Sequence, residues 1–214
     1  CIMAPNYLSF CCYAFLINLF TGTCPWLFSL QQKTELGFSQ ENVVLLVNLM
    51  FIGNMMGFYI GGQMIDRLGT KPVFFICHLS FGTILSLIVI KTIFPIPAEW
   101  VYGILMFFYG VIAGKSSIAI SSEILTTASE KHKALSVSIL FMMFSAGKAI
   151  SAVVAGQILN LGILKEHWDL GPLTFNQYDS LLAGSAIMII LLVVTLGLVP
   201  SVIVQKNNVS SARE

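Results

Sequence analysis

The chain has 214 residues, of which 57% are hydrophobic and only 10% charged, with a formal net charge of +1. Soluble domains carry about 25% charged residues, so this composition, with a mean hydropathy of +0.87, excludes a water-soluble fold. The few charges lie in short interruptions between apolar runs, which leaves no basic face to track a phosphate backbone and excludes nucleic acid as a partner.

A bilayer core needs about 20 mostly apolar residues per helix. The sequence predicts six such helices, at 7 to 30, 42 to 65, 72 to 94, 99 to 122, 134 to 163 and 178 to 204. Polar or Pro/Gly-rich breaks separate them: Gln31 to Glu41, Asp66 to Pro72, Pro95 to Pro97, Ser129 to Lys133, and Lys165 to Gln177 with its Gly171-Pro172. The domain therefore runs over residues 1–204, followed by a polar tail, 205–214. Six crossings place both termini on one side. Arg67, Lys71, Lys131, Lys133, Lys206 and Arg213 fall on that side, against Lys33, Lys91 and Lys165 on the other, so the termini are expected in the cytoplasm.

Two stripes of small residues are spaced for close helix packing in lipid, Gly53/Gly57/Gly61 on the second span and Gly147/Ser151/Ala155 on the fifth. The five cysteines form no CxxC pair and have no histidine near enough to complete a metal set, so they read as small buried hydrophobes and no cofactor or metal is expected. The chain opens on Cys1 with nothing resembling a signal peptide, and the expectation is a fragment or a trimmed chain.

The turn after the second span reads Gly62-Gln-Met-Ile-Asp66-Arg67-Leu-Gly69-Thr70-Lys71-Pro72. It resembles the signature GxxxDRxG[RK][RK] of the major facilitator superfamily, matching at Gly62, Asp66, Arg67, Gly69 and Lys71 and departing at Thr70. Its place between the second and third helices of a six-helix unit is also that family's. The resemblance implies an all-helical membrane bundle of two inverted three-helix repeats, forming one half of a twelve-helix secondary transporter. The run Glu35 to Ser39, the turn ending at Pro72 and the tail from Gln205 look more like the C-terminal half, so an N-terminal six-helix half is the expected partner, beside the lipid bilayer. The implied location is the inner (plasma) membrane of a bacterium.

In that family the turn acts as a cytoplasmic latch. Physically, Gly69 permits a tight reversal, Asp66 can face the positive end of the helix that starts near Ala134, and Arg67 can pair with Glu123 at the end of the fourth span. The plainer reading is that Asp66 and Arg67 only fix the topology and a tight loop.

Lys115 and Lys148 lie well inside the fourth and fifth spans. A central lysine costs about 2.5 to 3.5 kcal/mol to insert, so each should face a cavity or a partner. Since the family's first and fourth helices line the central cavity, the resemblance favours Lys115 for substrate contact. No Asp or Glu lies mid-membrane here. An organic anion held by Lys115 and Lys148, with Asn18, Thr21 and Asn48 in support, therefore stands beside the alternative that each lysine pairs with an acid of the other half.

Gly110 to Ser116 is one residue short of a phosphate-binding loop and lies within a helix whose N–H groups are already used, which excludes nucleotide hydrolysis. An intramembrane enzyme would need a nucleophile with a base in reach, and His78, His132 and His167 stand in no such pattern. A non-transporting receptor or assembly protein that reuses the fold remains the alternative to a transporter.

Overall fold

A computed structural model of the chain describes residues 5–127, 133–171 and 173–198. The tail 205–214, Cys1, Lys131, His132, Pro172 and the end of the sixth predicted span lie outside the described residues. The order is α1 (Pro5–Thr21), α2 (Cys24–Thr34), α3 (Gln40–Leu68), α4 (Thr70–Val89), a 3-10 turn (Lys91–Ile93), α5 (Ala98–Thr127), α6 (Lys133–Asn160), β1 (His167–Leu170), β2 (Leu173–Asn176) and α7 (Gln177–Leu198). Six of these helices, α1 and α2 counting as one, are long and apolar enough to cross a membrane.

Local chemistry sets the boundaries. Ser39 caps α3, its hydroxyl accepting the Asn42 N–H at 3.2 Å, and Gly69 ends that helix with φ 82°, a backbone few side chains tolerate. The helix before it extends to Thr34, four residues past its expected end, because Gln31 and Gln32 continue the buried face of Leu27 and Phe28. The first span is also not one rod: it breaks at Gly22–Thr23, ahead of Pro25. The polar stretch between α6 and α7 holds an antiparallel hairpin that turns at Gly171. There Trp168 lies opposite Phe175 and stacks on it at 4.6 Å, and its indole N–H donates to Ser180.

Helices in lipid associate by close packing rather than by a hydrophobic drive. α3 and α5 do so reciprocally. A Cβ at Gly57 would lie 2.2 Å from the Val111 carbonyl oxygen, and one at Gly110 would lie 1.9 Å from that of Met50, so the two backbones touch where side chains would hold them apart. α1 meets α6 in the same way, with Gly147 against the Phe15 carbonyl oxygen at 2.5 Å, and α4 pairs with α7. Counted as spans, the pairs are second with fourth, first with fifth, and third with sixth. Exchanging each span with the one three places on turns the first pair into the second and leaves the third unchanged, which is the relation expected of two three-helix repeats. The core fills the space between α1, α2, α4, α5 and α7, with Phe10, Phe28, Phe74 and Tyr102 fully buried. α3 and α6 stay peripheral and turn Phe51, Met55, Tyr59, Phe141 and Met142 outward.

At the end opposite the Gly62–Lys71 turn, a buried polar cluster fastens four elements. Lys91 Nζ lies 2.6 Å from Asp179 Oδ1, with side-chain exposures of 5% and 1%. Gln31 of α2 donates to the same Asp179 oxygen at 2.7 Å and accepts the Tyr102 hydroxyl of α5 at 2.6 Å. Asn176 and Asp179 cap α7 reciprocally, each side chain accepting the other's backbone N–H. Lys91 and Asp179, at the ends of the third and sixth predicted spans, are thus interior residues.

Candidate functional site

The break in the first span shapes the site. Pro25 has no N–H, so the Thr21 carbonyl lacks its partner one turn on, and the Tyr109 hydroxyl of α5 donates to it instead at 3.1 Å. Gly22 closes α1 through its N–H to Asn18, and its lack of a side chain lets α6 approach: a Cβ there would meet Lys148 Cα at 2.9 Å. The Thr23 hydroxyl bonds the Ser151 hydroxyl across the same contact.

Beside this joint lies a cavity of about 230 Å³ between α1, α3, α5 and α6. Asn18, Thr21, Asn54, Ser116 and Ser117 give it a polar lining, and Phe58, Phe81, Tyr109 and Phe144 give it aromatic walls. Lys148 is the one charged residue in that lining, its ammonium 4.5 Å from the Phe144 ring centroid and without a carboxylate partner among the described residues. Asn18 donates to the Ala14 carbonyl at 2.7 Å, which leaves its own oxygen uncommitted.

Of the residues expected to bind solute, Asn18, Thr21 and Lys148 come together here, and Lys115 and Asn48 do not line the cavity. On α5 the cavity face is Tyr109, Ala113, Ser116, Ser117 and Ile120. At 100° per residue, Lys115 points about 140° from the centre of that arc. It sits where α5 crosses Gly61 of α3, within electrostatic reach of the Cys77 thiol on α4. Asn48 lies about 9 Å along α3 from Asn54, in a shallow groove near Gln40 and Glu41. Asn54, Ser116, Ser117 and Tyr109 escaped the sequence reading. The signal that could have found them is a run of small polar residues on one face of a span.

The Gly62–Lys71 turn also departs from its expected geometry. Arg67 does not pair with Glu123. Asp66 and Arg67 are exposed, and their side chains make no ion pair or hydrogen bond among the described residues. The buried Glu123 accepts instead from the Thr70 hydroxyl at 2.5 Å, so the residue that departs from the signature is the one that reaches this carboxylate. Gly62 faces open space and Lys71 is half-buried.

His78 is fully buried in the core. One ring nitrogen donates to the Phe74 carbonyl and the other accepts the Tyr13 hydroxyl, so neither serves a nucleophile.

A family profile described as Major Facilitator Superfamily matches residues 7–213. The chain belongs to that superfamily. Among solved structures it is similar to the proton:xylose symporter XylE bound to 6-bromo-6-deoxy-D-glucose, with a TM-score of 0.71 and 16% identity. That likeness covers 92% of this chain and 45% of the symporter's, so the chain spans less than half the length of that structure. No curated protein matches it significantly. The superfamily membership and the six apolar helices make this an integral membrane protein.

Proposed function

We propose that the chain is one six-helix half, the C-terminal one, of a secondary transporter that carries a small organic anion by alternating access. The observation that carries this reading is Lys148, a lone cation in a cavity whose lining holds no carboxylate. An unpaired ammonium at this depth needs a counter-charge, and the solute supplies it. The symporter of similar fold is named for xylose, a neutral sugar; the fold speaks for transport and the cavity for a different cargo.

The exposed apolar faces of α3 and α6 suit docking to an equivalent half, which closes the cavity from the other side. Charge supports cytoplasmic termini, and the location proposed with them is the inner membrane of a bacterium. With Lys91 neutralised by Asp179, the far side keeps only Lys33 and Lys165 against Arg67, Lys71 and Lys133 on the turn side. The Gly62–Lys71 turn then lies at the cytoplasmic face, where Thr70 and Glu123 join α4 to α5 as part of the latch. Nothing in the cavity resembles a catalytic pair, and the reading is of a transporter, not an enzyme.

The test is protection of a cavity cysteine. Ser117→Cys, in full-length protein with the exposed Cys12 replaced by serine, is expected to react with a maleimide and to be shielded by pooled organic anions. Shielding by neutral sugars or cations, with none by anions, would overturn the proposal.

A further inference from the structure

Resting on that reading, the cavity also narrows the solute. We infer that the anion is a hydroxylated monocarboxylate, of the kind found among sugar acids, and that Ser116 is the residue that reads its hydroxyl group. Ser116 is 6% exposed and lies in the cavity lining, yet its hydroxyl has no hydrogen-bond partner among the described residues. Other hydroxyls on these helices are already committed. The hydroxyls of Thr21, Ser86, Ser121 and Ser138 all donate to the carbonyl four residues back, the ordinary way a helix hides such a group.

The Ser116 hydroxyl opens on the cavity rather than on packed protein, so a solute that brings hydrogen-bonding atoms can reach it there. Ser117 on the next position and Asn54 across the cavity are likewise uncommitted, and Asn18 presents a free acceptor oxygen. These groups offer donors and acceptors together, which matches alcohol hydroxyls, whereas the alkyl tail of a simple carboxylate offers them no partner. Lys148 is the single cation present, which suits one carboxylate and leaves a second one unneutralised. Tyr109 supplies an apolar face for the C–H side of a polyol.

The experiment compares uptake of gluconate, hexanoate, the dicarboxylate glucarate and glucose by proteoliposomes of the full-length protein, as wild type, Ser116→Ala and Ser116→Thr. Gluconate is expected to exceed hexanoate by about tenfold or more, because a site built to bond hydroxyls rejects analogues that lack them, and to exceed glucarate because the second carboxylate finds no cation in the lining. Ser116→Ala should shrink the gluconate-to-hexanoate ratio about tenfold, and Ser116→Thr, which keeps the hydroxyl, should restore it. Equal uptake of gluconate and hexanoate, or a ratio unmoved by Ser116→Ala, overturns this inference and leaves the anion reading standing. Uptake of glucose with no anion carried overturns both.

Discussion

Lys148→Met is expected to reduce anion uptake by roughly 10- to 100-fold at limiting solute, the loss that follows from removing one charge-assisted hydrogen bond. Lys115→Met in the same vesicles should change it by less than about threefold. The contrast rests on position. Both lysines lie inside the membrane, but Lys148 lines the cavity with Phe144 behind it, whereas Lys115 faces the crossing of α5 with α3 and α4. Rates of labelled-anion uptake, with the quantity of inserted protein measured alongside, decide the point. Loss in Lys115→Met and retention in Lys148→Met would reverse the assignment of the site.

The second large effect concerns stability. Lys91→Met strips the buried Asp179 of its cation while Gln31 and the Asn176 N–H remain, and breaking a buried pair in this way costs roughly 3–5 kcal/mol. Asp179→Leu leaves Lys91 stranded and removes the half of the α7 cap in which the Asp179 carboxylate accepts the Asn176 N–H. The double variant Lys91→Met/Asp179→Leu should be markedly less damaged than the two single losses added together, since no charge is then left buried without a partner. Unfolding in detergent micelles measures all four proteins. Strictly additive losses would show that the pair is not coupled and that the cluster does not fasten α2, α5 and α7.

Much of the architecture is legible in the sequence because the bilayer imposes it: segment length and apolarity alone locate six spans, and four-residue spacing of small residues marks the close-packed seams. The glycines at 53, 57 and 61 do face α5, and Gly147 does face α1. What stayed hidden depends on direction around a helix or on contacts far apart in sequence. Lys115 and Ser116 are neighbours in sequence yet about 100° apart in space, and when every face of a span is apolar, periodicity does not say which one meets the cavity. The Lys91–Asp179 pair joins residues 88 positions apart, and nothing local reveals it before α4 is packed on α7. Two features were within reach of local chemistry: Gly22-Thr23-Cys24-Pro25 carries the residues of a helix break, and Asn176 with Asp179 three residues on carries those of a reciprocal cap. In the Gly62–Lys71 turn the motif correctly locates a helix end at Gly69 but not its partners, because Thr70, the residue outside the pattern, takes the carboxylate expected for Arg67.

The central claim is that the cavity carries anions. Its most direct test is uptake by proteoliposomes of the full-length protein, offered pooled organic anions, pooled organic cations and pooled neutral sugars in parallel under an imposed proton gradient. Accumulation of solute from the anion pool alone is the predicted result. Accumulation from the cation or neutral pool, with none from the anions, would contradict it and return Lys148 to a structural role, paired with an acid of the other half.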